Sequence, residues 1–418
     1  MASFSGIHDY DKKLISIMQR LENSSISNRN KKLIKDFDRA CILEKLTVAR
    51  RVKLISTLVL IGERYIKKDF DKAKTEDMKK AYVKIESNKD FSVWTKHDYA
   101  SVMKKFWKWI AYGDDYFMAS KNDVPETVRW IRVHIKKKDQ PKIEASDILT
   151  EEEVFTLIEA AATPRDKAFI STLYETGARI SEIGNMKIGD VTKQKYGYLL
   201  DVKGKTGART PIIINAAPYL RSWINMHPLR DNPKSALWIN TDKGKNNALG
   251  YSSLRTIVNR LKEKAKIKKR IHPHLFRHSR VTHVLVRGLL TSSQAEIYFG
   301  WVPGTSMLEQ YSHLVSKNAN DAMLESLGLK SKEESKITSH KCAFCETINN
   351  NSARFCESCG NPLNITSAVE LRESQDLEKL KVIGDILDIM IQNVNQTNNI
   401  TPQKKKQLIE AVEKIRSN

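Results

Sequence analysis

Glycine and proline are scarce, 17 and 11 in 418 residues. Such scarcity excludes a collagen-like repeat and a proline-rich linker protein, and it speaks against an all-β chain built on many tight turns. Helix is expected to dominate. Long apolar runs are also missing: stretches such as Leu54 to Ile61 and Val284 to Val286 fall far short of the roughly 18 residues that span a bilayer. No membrane partner is expected. Met1 to Tyr10 lack the basic-then-apolar order of a secretory leader, so the chain is expected to remain in the cytoplasm. Only five cysteines occur, Cys41 alone in an apolar stretch and the other four within one short segment. A secreted disulfide scaffold would spread them through the fold. Acidic residues are in deficit, 49 Asp and Glu against 71 Lys and Arg, for a net charge of +22. A field of that sign gathers polyanions, and nucleic acid is the expected partner. An anionic membrane surface is the competitor, weakened because no helix at a chain end joins a basic face to a strongly apolar one.

Along the chain, residues up to about Tyr116 carry the apolar spacing of a helical bundle. Examples are Tyr10, Leu14, Met18 and Leu21, then Val48, Val52, Ile55 and Val59, then Tyr99, Val102, Met103, Phe106 and Ile110. Lys104, Lys105 and Lys108 interleave with Phe106, Trp107 and Trp109, either as a solvated basic face or as a face for phosphate. The pattern loosens around Pro125 and Pro141, as in a linker. Thr150 followed by Glu153 forms a capping box that opens a new domain. A helix is expected from Arg165 to Thr176, stopped by Gly177, with another short one around Glu182 and Met186. Strands are expected over Tyr198 to Val202 and Pro211 to Ile214, around the turn Lys203-Gly204-Lys205-Thr206-Gly207, before helices return from Ser252 to about Leu327. Between Arg255 and Arg280 ten Lys and Arg face the single acid Glu263, the steepest basic stretch of the chain.

Phosphodiester chemistry without a metal needs cations around the non-bridging oxygens, where negative charge grows, together with a nucleophile and an acid for the leaving oxygen. The sequence offers such a set. Arg179 follows the Gly177 stop, where a guanidinium fork can grip phosphate. His274 and Arg277 are three apart, hence on one helix face. Gly300-Trp301 and Tyr311-Ser312-His313 come next.

From about Ile148 to Leu327 these boxes, in this order, resemble the tyrosine recombinases or phage-type integrases, especially their Xer-like microbial members. The resemblance implies a mainly α fold with a small β-sheet in the catalytic domain, and a two-domain clamp on double-stranded DNA. It implies a site-specific recombinase that works through a 3′-phosphotyrosyl intermediate, with no metal or nucleotide cofactor in catalysis, and a homo-oligomer, a tetramer, at the synapse. Under it Arg179 and Arg277 clamp the scissile phosphate and Tyr311 attacks. Lys205 protonates the leaving 5′-hydroxyl, with Lys203 left open as an alternative. His274 bonds a phosphate oxygen and helps position or deprotonate the tyrosine. Glu182 supports Arg179, and His278 lies inside the motif in a supporting place. Trp301 stands where most of these enzymes carry histidine; its indole N–H donates but cannot shuttle a proton. Arg280 is unusual for the family, as a further phosphate contact or a solvent-facing residue. For His272, His283 and His313 a structural place is expected. Two alternatives remain, a type IB topoisomerase-like nicking-closing enzyme and a non-catalytic DNA-binding regulator of the same fold.

Cys342 and Cys345, then ten residues, then Cys356 and Cys359 form two Cys-x-x-Cys knuckles able to hold one structural zinc ion. Their pattern resembles a zinc ribbon. Beyond it Leu380, Ile383, Leu387, Met390 and Val394 step by three and four, and Leu408, Val412 and Ile415 follow Pro402, as helices that dock on a neighbour or fold back. The expected division is a core-binding domain over 1–120, a linker over 121–147, a catalytic domain over 148–330, the ribbon over 338–364 and helices over 365–418.

Overall fold

A computed structural model describes residues 6–120, 122–136, 139, 143–204, 207–302, 304, 308, 311, 323–324, 327, 329, 339–342, 345–364, 366–367, 370, 374, 392 and 401–416. The chain forms two compact units, Met1–Glu144 and Ala145–Asn418. Among the described residues no helix is long and apolar enough to cross a membrane.

The first unit holds α1 (Tyr10–Asn23), α2 (Asn28–Leu43), α3 (Val48–Arg64), α4 (Thr75–Glu86), α5 (Val93–Tyr112) and the short α6 (Glu126–Arg129). Ser27, Thr47 and Ser92 begin α2, α3 and α5 by accepting an orphan main-chain N–H. The apolar stripes read from the sequence converge on one core in which Phe37 and Phe70 meet Phe106 edge-on and Trp107 donates to the Phe70 carbonyl. Lys105 turns to Glu44 at 2.7 Å and to the Tyr116 hydroxyl, so it ties α5 to α2 and does not join a free basic face. Val128 and Ile131, within the stretch expected as a linker, are buried in the same core.

In the second unit, Thr150 and Glu153 exchange the two bonds of the capping box that starts α7 (Glu151–Glu159). α8 (Pro164–Thr176) is central, buried along nearly all its length and packed against α7, α10 (Ala217–Met226) and α12 (Pro273–Val286). Gly177 caps it in the left-handed conformation. The short α9 (Ile180–Gly184) follows, and α11 (Tyr251–Lys264) and α13 (Ser292–Phe299) complete the helices around the site.

The strand expectation was too coarse. Five short strands replace two: β1 (Val191–Gln194), β2 (Gly197–Leu200) and β5 (Ile212–Ile213) form one antiparallel sheet, and β3 (Val202–Gly204) pairs with β4 (Gly207–Arg209) in a separate hairpin. β1 reads Val-Thr-Lys-Gln and is largely solvated, so it carries no apolar alternation to signal it. A third hairpin, β6 (His340–Lys341) with β7 (Ile348–Asn349), belongs to the cysteine segment, and α14 (Pro402–Arg416) lies near the end with Leu408 exposed. Leu380, Ile383, Leu387, Met390 and Val394 lie outside the described residues.

Candidate active site

Gly177 ends α8 at φ +53°, and a Cβ there would sit 2.6 Å from the Phe299 ring. The chain then turns through Ala178 so that Arg179 precedes the first residue of α9. Glu182, one turn on, accepts from the Arg179 main-chain N–H at 2.9 Å and from its Nη1 at 2.7 Å. The other guanidinium on this carboxylate is that of Arg209, whose Nη2 lies 2.9 Å from Oε2. Burial pushes the Glu182 carboxyl upward, but the bonds from Arg209 and Arg179 outweigh it and hold the group below its ordinary range.

Arg277, on α12, is 2% exposed. Its guanidinium donates to the carbonyls of Gly177 at 2.9 Å and Phe299 at 2.7 Å, and lies 5.2 Å from the centre of the Trp301 ring. No carboxylate pairs with it among the described residues. Burial, then the neighbouring Arg179, lower its pKa to about 10, so it remains a cation at neutral pH.

Tyr311 is 1% exposed, its ring stacked at 6.2 Å on Trp301 and its hydroxyl 2.6 Å from Nδ1 of His278. Burial raises its pKa to about 12, against the pull of Arg277. His278 meets His274 edge-on at 4.5 Å. Burial lowers both to about 4, helped for His274 by Arg277, His272 and Arg179 and for His278 by His274, His272 and Arg277. His274 keeps an exposed face nonetheless. The indole Nε1 of Trp301 is buried with no hydrogen-bond partner among the described residues.

Seven expected residues thus form one connected group: Arg179, Glu182, His274, Arg277, His278, Trp301 and Tyr311. The histidine against the tyrosine hydroxyl is His278, where His274 was expected. Lys205 and His313 lie outside the described residues, while Lys203 is exposed and 3.7 Å from Asp190. Arg280 is half-buried: its Nε donates to the Glu175 carbonyl at 3.0 Å and its guanidinium lies over Tyr174. His283 is structural, 2.8 Å from the Tyr174 hydroxyl. Sequence reasoning missed Arg209. Its signal is that it pairs across the hairpin with the buried Val202, which puts a cation on an inward face.

The four clustered cysteines bring all their sulfurs within 4.8 Å of one another. Cys342 and Cys359 are 3.6 Å apart, Cys345 and Cys356 3.5 Å, and all are free thiols. Sulfurs of a tetrahedral zinc–thiolate site lie about 3.8 Å apart, so this set could hold a metal ion. Amides of Asn349 and Asn361 point at Cys356 and Cys359, the support that a thiolate needs.

In comparison with known proteins, residues 147–318 match the phage integrase family. The matched stretch contains every residue of the group, and the cysteine cluster lies beyond it. Tyrosine recombinase XerA of Pyrococcus furiosus is 35% identical over 143 residues, 34% of this chain and 49% of that protein. The chain spans about half the length of the first curated relatives it matches. Among solved structures, XerH recombinase in a post-cleavage complex with its difH substrate matches with a TM-score of 0.51 at 18% identity, covering 76% of this chain and 98% of that one. A lambda integrase dimer bound to a COC′ core site gives 0.52 at 13%, covering 67% and 76%. At these identities the likeness is one of fold, mostly helical with small sheets.

Proposed function

We propose that this chain is a site-specific recombinase that cuts and rejoins double-stranded DNA through a 3′-phosphotyrosyl intermediate. One observation carries the reading: Arg277 is a buried cation bonded to two carbonyls and, among the described residues, to no carboxylate, and its charge reaches the Tyr311 hydroxyl. An uncompensated buried charge costs several kcal/mol, roughly, so the site is shaped for an anion that arrives from outside. A phosphodiester would be held by Arg277, Arg179, His274 and the indole N–H of Trp301, which has no hydrogen-bond partner among the described residues.

In the step we assign, the Tyr311 phenol oxygen bonds to phosphorus as its proton passes to Nδ1 of His278, which is neutral at pH 7 and free to accept. The bond from phosphorus to the 5′ oxygen breaks, and Lys205 gives that oxygen its proton. Attack by a 5′-hydroxyl reverses the sequence, so the bond energy is kept and no nucleotide cofactor is called for. Exchanging strands between two duplexes takes four such sites, hence a homo-tetramer at the synapse; lambda integrase as a tetramer bound to a Holliday junction is consistent with this. A chain with this substrate works where the chromosome lies, in the cytoplasm at the nucleoid. Cys342, Cys345, Cys356 and Cys359 would hold one structural zinc ion, fixing the ribbon's two knuckles.

The test uses nicked duplexes drawn from a randomised pool by binding to the full chain. The wild type is expected to form a covalent adduct with them. Lys205→Ala should be slowed about 10²–10⁴-fold, the range of general acids, and rescued when the bridging 5′ oxygen is replaced by sulfur, a leaving group that needs little protonation. Adduct-free binding by the wild type would instead indicate a non-catalytic regulator, and rescue of Lys203→Ala in place of Lys205→Ala would move the acid two residues back.

A further inference from the structure

One contact of the group comes from a residue outside every motif, Arg209 at the end of β4. Its side chain is 9% exposed and shares the Glu182 carboxylate with Arg179. Its Nε is buried and has no hydrogen-bond partner among the described residues. Two glycines make room around this ion pair. A Cβ on Gly204, in β3, would lie 2.4 Å from Oε1 of Glu182, and a Cβ on Gly300, beside Trp301, would lie 2.9 Å from Nη1 of Arg209. Three separate segments therefore meet at Arg209: the β3–β4 hairpin, α9 with Arg179 before it, and the end of α13 that leads into Trp301.

We propose that Arg209 is a positioning residue that latches the β3–β4 hairpin onto Glu182, and that the leaving-oxygen acid, which the reading above assigns to the sequence joining those two strands, depends on this latch. The inference rests on the strand-cleavage reading above. A latch needed only for stability would be better made of apolar side chains, because a buried ion pair repays its desolvation poorly. A charged one fixes geometry instead. Glu182 can hold Arg179 by its own two bonds whether or not Arg209 is present. What Arg209 adds is the bond from the hairpin, so its loss should be felt on the leaving-oxygen side of the reaction more than at the phosphate.

The experiment compares full-length Arg209→Met and Arg209→Lys with the wild type on the selected nicked duplexes, with an ordinary or a sulfur-substituted 5′ bridging position. Arg209→Met should lose about 10²-fold on the ordinary duplex and recover most of it on the sulfur duplex, as a misplaced general acid would. Arg209→Lys, which keeps the charge but not the fork, should lose less and be rescued in the same proportion. Equal losses on both duplexes would overturn the proposal and make Arg209 a phosphate contact or a fold stabiliser; no loss on either would overturn it too. Should Arg209→Met lack a cooperative melting transition, the ratio in Arg209→Lys decides. A wild-type chain that forms no adduct with either duplex contradicts the strand-cleavage reading itself, and this one with it.

Discussion

His274, His278 and His283 stand on one helix, α12, and each is held near pKa 4, chiefly by burial. Neutrality is what the proposed step needs of His278, since a protonated ring could not take the proton of Tyr311. The same shift ties stability to pH. The folded pKa lies below the unfolded value of about 6.5, so as pH falls the unfolded chain binds its proton first. Stability is intact above about pH 6.5 and drains away between 6.5 and 4, at no more than roughly 1.4 kcal/mol per pH unit for each ring and less for half-buried ones such as His278 and His283. His274 contributes less than this, because its exposed face is screened by solvent. His283 bonds Tyr174, which is not among the residues proposed to grip phosphate, so it isolates the effect. In urea titrations of the full chain at pH 7, 6 and 5, the wild type should lose stability steadily, and His283→Met should flatten that slope by about one proton. An unchanged slope would show that His283 is not held neutral.

Among the elements, helices were the legible ones. Thr150 with Glu153 and Gly177 after Thr176 are local signals, and the chain obeys them because an orphan N–H or a left-handed residue must be satisfied on the spot. The β3–β4 hairpin was read as a bare turn, since strands of three residues leave no room for alternation. The cysteine cluster was legible from spacing alone, but its seat was not. Arg221 on α10 donates to the Ile348 carbonyl at 2.9 Å and pairs with Glu357, and the Ser339 hydroxyl bonds the Asn215 side chain at 2.7 Å. None of these residues belongs to the group around Tyr311. Cys342→Ser with Cys345→Ser in the full chain should therefore lose its one equivalent of zinc and disorder the ribbon, while the covalent adduct forms as before. Metal analysis beside the adduct assay checks both parts: zinc retained at one per chain would refute the four-thiolate site, and adduct lost in step with zinc would refute its independence from catalysis.

For the molecule as a whole, a surplus of 22 positive charges pointed to a polyanion before any residue was assigned. Charge of that kind says nothing of chemistry, which became legible only because Arg179, His274 with Arg277, and Tyr311 recur in a family order. Arg209 stayed hidden because its meaning lies in three segments that are distant in sequence and meet only in the folded domain. The account stands or falls on whether the buried hydroxyl at position 311 is the atom that takes the phosphate. Wild-type chain trapped on a nicked duplex, digested and mapped by mass spectrometry, should carry a single nucleotide joined through its 3′-phosphate to Tyr311, and Tyr311→Phe should bind the same duplex yet yield no adduct. An adduct on any other residue, a linkage through a 5′-phosphate, or an undiminished adduct in Tyr311→Phe would contradict it.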